Sequence, residues 1–179
     1  MALTDGEKRE LANISGNVQR VRVFFESVAA PPADAHPEAW LRYLIEMKRV
    51  MGNTSNWLSL TACLLAKEHL DAVLPMAEFD VALKPQGAPG LDIDAMTIHE
   101  ERVVGEVKTT IPYNQKQQRL GAAQQSSIRK DVAKLLLADA KHKFLFVTDD
   151  MTYHAVAHAF ATQLGAIQLV LLGAGDQEQ

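Results

Sequence analysis

The chain has 179 residues, of which 47% are hydrophobic, 22% charged and 6% aromatic, with a formal net charge of −4. This balance excludes collagen-like and disordered classes, favours one domain with a small helical appendage, and argues against a protein that coats nucleic acid by bulk charge. The single cysteine, Cys63, excludes an intrachain disulfide framework; no apolar run reaches the ~18–20 residues of a membrane span, and charges fill the start MALTDGEKRE, so the expectation is no membrane, no export and a cytoplasmic location.

Taken in chain order, Leu11, Ile14, Val18, Val21, Phe24 and Val28 predict a helix over residues 7–28. AAPPADAHP is a loop, because its prolines break a helix. A second helix is expected over 38–51 and a strongly apolar third over 57–73, capped by Ser55 or Asn56. The period then changes. Residues 79–83 read as a short strand, and KPQGAPG as a turn-rich loop. LDIDAMTI alternates in the manner of a strand over 91–98, and β-branched residues predict another over 102–110. Next come an amphipathic helix over 122–140 (Ile128, Val132, Leu135 and Leu136 inward, Arg129, Lys130 and Lys134 outward), a buried strand over 143–148, a helix over 151–164 and a last strand over 167–172. The order is helices, then α-β-β-β-α-β-α-β. That is an α/β class: a mixed central sheet flanked by helices, with a helical extension over 1–52 and the core over 53–179.

Charge is unevenly spread. Residues 1–100 carry 9 basic and 14 acidic side chains, residues 101–143 carry 9 and 4, and residues 144–179 carry 4 acids and no Lys or Arg. The basic stretch is either a phosphate-facing surface or an ordinary solvated helix with strand ends.

The telling residues are Asp94, Glu106 and Lys108, with Asp92 nearby. If His99–Glu101 is a three-residue hairpin loop, Ile98 faces Arg102, Asp94 falls opposite Glu106, and Asp92 opposite Lys108. Like charges facing each other destabilise a hairpin, and a divalent cation between them reverses that. Two carboxylates, the Val107 carbonyl and water suit Mg²⁺, with Mn²⁺ as substitute. Lys108 can hold or deprotonate a water, or offset charge in the transition state, so the set can hydrolyse a phosphodiester. Such a spacing also recurs by chance, and a charged strand face is ordinarily a solvated one. Against that, LDID and VVGEVK place charges inside core-forming strands.

Gly90-Leu91-Asp92-Ile93-Asp94-Ala95 and Val103-Val104-Gly105-Glu106-Val107-Lys108-Thr109-Thr110 resemble the PD-(D/E)xK nuclease superfamily, with its restriction-endonuclease-like fold, over roughly residues 53–172. The resemblance implies a Mg²⁺-dependent endodeoxyribonuclease in which Asp94 and Glu106 bind metal and Lys108 serves the attacking water. The proline-aspartate half is not literal, since Pro89 lies ahead of both Asp92 and Asp94. The metal-binding aspartate is therefore open between them; cross-strand geometry favours Asp94, with Asp92 in support. By the same resemblance, Glu68 on the third helix and Gln125 after the E-x-K strand are supporting candidates, each with a solvent-facing or capping role as the competing reading.

Phosphate contacts are expected from Lys116, Arg119, Arg129 and Lys130. The expected partner is DNA, cut by a homodimer or together with a partner protein of a restriction or defence system. The rival is a non-catalytic nucleic-acid-binding or assembly module that keeps the nuclease fold within a larger complex. Other features carry less. His154 and His158 have zinc-helix spacing but lack the intervening glutamate and a third ligand. Cys63 reads as a small core residue, and Trp40 and Trp57 as core rather than base-stacking platforms.

Overall fold

The first helix begins where the sequence supplies a cap. In the computed structural model, which describes residues 2–84, 88–112 and 120–173, the Thr4 hydroxyl accepts the Glu7 N–H and the Glu7 carboxylate accepts the Thr4 N–H. Helix α1 (Asp5–Ser27) follows. Helix α2 (Pro37–Met51) opens on a proline, where no backbone donor is needed. Helix α3 (Thr54–Val73) is capped by Asn53, two and three positions ahead of the expected Ser55 or Asn56, through the Asn56 N–H. Phe24 of α1 and Tyr43 of α2 lie 5.5 Å apart, ring centre to ring centre, and join the two helices.

The sheet has four strands: β1 (Ile93–Met96), β2 (Arg102–Lys108), β3 (His142–Val147) and β4 (Ile167–Leu171). Their spatial order is β1-β2-β3-β4. The first pair is antiparallel and the other two are parallel. Parallel neighbours need long crossovers. Here these are α4 (Ala122–Leu137) between β2 and β3, and α5 (Asp150–Ala159) with α6 (Ala161–Leu164) between β3 and β4. The single helix expected over 151–164 is divided at Phe160, which is buried in the core.

Strand alternation sorts the core into two layers. Ile93, Ala95, Val103, Phe144 and Phe146 meet Ala62, Ala66 and Leu70 of α3. Val104 and Leu145 meet Ile128, Val132 and Leu135 of α4, with Val156 and Phe160 behind. Each of the Val, Leu, Ile and Phe side chains contributes about 1.5–3 kcal/mol by leaving water. Phe144 and Phe146 stack at 5.4 Å. Gly105 leaves room for them, since a Cβ there would stand 3.1 Å from the Phe146 ring.

One predicted strand does not form. Residues 79–83 hold a 3-10 turn, Val81–Leu83, because side chains capture their backbone groups. The Phe79 carbonyl accepts Lys67 Nζ at 2.6 Å, the Val81 N–H donates to Glu7 at 3.1 Å, and the Ala82 N–H donates to Asp80 at 2.7 Å. The order of helices and strands among the described residues is therefore α-β-β-α-β-α-α-β in the sheet region: an α/β fold with a mixed four-stranded sheet flanked by helices, one strand short of the expected series. Among those residues no helix is long and apolar enough to cross a membrane.

Candidate active site

The β1–β2 connection decides which aspartate meets Glu106. Met96, not Ile98, pairs with Arg102, so the register is displaced by two residues from the expected one. The turn closes at Thr97: its N–H donates to the Glu101 carbonyl at 2.9 Å, its carbonyl accepts the Glu100 N–H at 3.0 Å, and its hydroxyl accepts the N–H groups of His99 and Glu101 at 3.2 and 3.1 Å, while Met76 bridges it from the other side. The Ile98 N–H donates to the Pro75 carbonyl at 2.8 Å, and Glu100 adopts a left-handed conformation (φ 61°) that closes the longer turn. A slip of two preserves the face of every side chain, because the strand period is two. It exchanges one partner for another.

This corrects the assignment of Asp94. Asp94 lies opposite Val104, and its carboxylate makes a two-pronged pair with Arg102, at 2.9 and 2.8 Å. The Arg102 hydrogen bond holds the Asp94 carboxyl below the usual carboxylate range. Asp94 thus serves the hairpin end and does not reach Glu106. Continued by one step, the register sets Asp92 beside Glu106, and one Asp92 oxygen accepts the Val107 N–H at 2.9 Å.

Asp92, Glu106 and Lys108 line one polar cleft of about 390 Å³ at the C-terminal end of β2. Val107, Thr109, Thr110 and residues 88–90 form its rim, Ser59 and Cys63 of α3 one wall, and Asp131 and Lys134 of α4 the other. The Lys108 ammonium stands 2.5 Å from Asp131 Oδ2 and donates to Ser127 Oγ at 3.3 Å. Lys134 Nζ donates to Glu106 Oε1 at 2.5 Å and to the Gly90 carbonyl at 3.1 Å, with Asp131 at 3.9 Å.

Burial dominates the electrostatics. Glu106 is 3% exposed, and desolvation, with the fields of Asp92 and Asp131, pushes its carboxyl up to about 7 despite the Lys134 bond. Lys134 is held above its ordinary value. Partial burial opposes this, but the Glu106 bond and the surrounding carboxylates outweigh it. Burial, then the charge of Asp92, pushes the Cys63 thiol up to about 12, which excludes a thiolate nucleophile at neutral pH.

The oxygen-rich lining fits Mg²⁺ in its chemistry. Asp131 Oδ2 is buried and stands 2.5 Å from the Lys108 ammonium, which compensates its charge. Among the described residues, however, no three His, Cys, Asp or Glu side chains converge tightly enough to enclose a metal by themselves. Asp92, Glu106 and the Val107 carbonyl would have to be completed by water or substrate oxygens.

The sequence pattern does not single out Asp131 and Lys134, and it turns Lys134 outward, whereas the structure sets both in the cleft wall. Asp131 had a signal: with Ile128, Val132 and Leu135 it shares the buried stripe of α4. Glu68 is exposed and borders a separate groove near Leu3 and Leu11. Gln125 donates to the Leu120 carbonyl at 2.9 Å, at the start of α4, and does not line the cleft. Its neighbour Gln124 accepts the Gly121 N–H and donates to the Ile111 carbonyl. Arg129 and Lys130 are exposed on α4; helical spacing keeps Lys130 near the Ser127–Asp131–Lys134 face and turns Arg129 away. Lys116 and Arg119 lie outside the described residues. Trp40 and Trp57 are half-buried rather than core. His154 pairs with Asp150 on the surface, and His158 is exposed.

No protein-family model, curated protein sequence or solved structure matches this chain.

Proposed function

We propose that the chain is a Mg²⁺-dependent endodeoxyribonuclease built on a restriction-endonuclease-like core of the PD-(D/E)xK type. The observation that carries this reading is the gathering of Asp92, Glu106 and Lys108 in one cleft, on strands whose register sets Asp92 beside Glu106. The antiparallel β1–β2 pair followed by the α4 crossover to parallel β3 supports it. Asp92, Glu106 and the Val107 carbonyl would hold the cation. When bound, it would polarise a phosphoryl oxygen and acidify a water. Lys108 is anchored by Asp131 and Ser127 at the cleft wall, from where it can donate to the attacking water or to a phosphoryl oxygen. Lys130, at the edge of the same helical face, would meet an adjacent phosphate. Double-strand cutting would call for a second copy of the chain or for a partner protein of a restriction or defence system.

One observation favours the rival reading of a non-catalytic binding or assembly module. Both ammonium groups already neutralise carboxylates of the cleft, Lys134 at Glu106 and Lys108 at Asp131. Nicking of supercoiled plasmid with Mg²⁺ separates the two. Cleavage by the wild type that is lost in Asp92→Asn and Lys108→Ala, with folding retained, supports the nuclease. DNA retention without cleavage by any form supports the module.

A further inference from the structure

The Glu106 carboxylate of β2 and its partner Lys134 differ in freedom. The Glu106 side chain is 3% exposed and sits on a central strand, so it cannot follow a partner into water. The Lys134 side chain is 43% exposed, on a helix surface, with a flexible stem that can carry its charge outward at little cost. Its ammonium also spans to the Gly90 carbonyl, and so ties α4 to the segment that leads into Asp92. A single cation at this point touches Glu106, lies near Asp131 and shares the cleft with Asp92.

We infer that Lys134 is the built-in counterion of the cleft: it occupies the cationic position at Glu106 in the metal-free protein and is displaced when a divalent cation binds. The inference rests on the reading of the cleft as a Mg²⁺ site and assigns that site its regulation. Lys134 is then a positioning residue that sets metal affinity through Glu106. A buried carboxylate without a partner is costly, so a resident ammonium keeps the empty site folded. The same ammonium repels an incoming cation and competes with it for the same oxygen. Removing the charge while keeping the stem should therefore tighten metal binding. Keeping the charge in another form should not.

Calorimetric titration of the full chain with Mn²⁺ tests this, comparing wild type, Lys134→Met, Lys134→Arg and Glu106→Gln. The expected result is binding at least about tenfold tighter in Lys134→Met, a modest gain for loss of one like charge a few ångströms away. Lys134→Arg should bind no tighter than wild type, and Glu106→Gln should bind more weakly. Equal or weaker binding by Lys134→Met, with Glu106→Gln still impaired, overturns the role of Lys134 and leaves the metal site standing. Absence of Mn²⁺ binding in every form overturns the metal site and this inference together. A measurement on the wild type covers the case in which Lys134→Met fails to fold. Acetylation of the Lys134 amine, followed by peptide mass spectrometry, should rise several-fold on adding Mg²⁺ as the ammonium leaves Glu106. Unchanged labelling at a metal concentration that saturates the site overturns the displacement.

Discussion

Two buried glutamates each face a lysine, and they are built to different ends. Glu7, at the start of α1, is fully buried, and its oxygens take Lys67 Nζ at 2.7 and 2.9 Å, the Val81 N–H at 3.1 Å and the Thr4 N–H at 2.9 Å. Lys67 is itself buried and reaches the Phe79 carbonyl. This cluster is closed and welds the first helix to α3 and the 3-10 turn. Glu106 is almost as buried, but its partner is half in solvent and two further carboxylates crowd it. A satisfied buried pair holds structure. An under-compensated one, open to a cleft, is poised to exchange its cation.

The largest expected effect breaks the closed cluster. Glu7→Ala strands a buried ammonium and should cost about 3–5 kcal/mol in denaturant unfolding. Replacing both partners, as Glu7→Met with Lys67→Met, should cost clearly less. If the single variant unfolds at the wild-type midpoint, the two regions do not differ as described. The open pair should answer in activity instead. Asp92→Asn should lower plasmid nicking by about 100-fold, which corresponds to losing roughly 2.7 kcal/mol of transition-state stabilisation. Asp94→Asn should nick at close to the wild-type rate, and a reversal of the two would contradict the observed register.

Titration sharpens the contrast further. A carboxyl raised to about 7 in the folded state still binds its proton where the unfolded chain has already lost it. Metal-free stability should therefore fall as pH rises from about 4.5 to 7, with the penalty fully present above 7. Glu106→Gln should remove that slope in urea titrations; an unchanged slope would place the proton elsewhere. Smallest of all is the exposed cluster at the far end of β2. The His142 and Lys141 hydrogen bonds hold the Glu101 carboxyl down to about 2. Its contribution is present above the ordinary carboxylate range and is lost as pH falls toward 2. Glu101→Gln should slightly flatten the acid limb of the stability curve.

Much of the fold was legible because helices and buried strands carry local periodicity. Ile128, Val132 and Leu135 announce the inner face of α4, and KFLFV announces β3. Residues 79–83 misled because their alternation is that of a strand, while the fate of their backbone depends on Glu7 and Lys67, distant in sequence. Within the cleft, Glu106, Lys108 and Asp92 could be read from the strand pattern. Asp131 was only hinted at by the stripe it shares, and Lys134 was hidden because a lysine beside a helix's apolar stripe ordinarily faces water.

The sequence by itself determined which residues lie on the α4 face of the sheet, since a period of two assigns sides whatever the register. Only the tertiary structure decided that Asp92 rather than Asp94 stands beside Glu106. That choice depends on where the hairpin turns, and a separate segment holds the residues on either side of Thr97: the Ala77 N–H donates to the Met96 carbonyl and the Ile98 N–H to the Pro75 carbonyl.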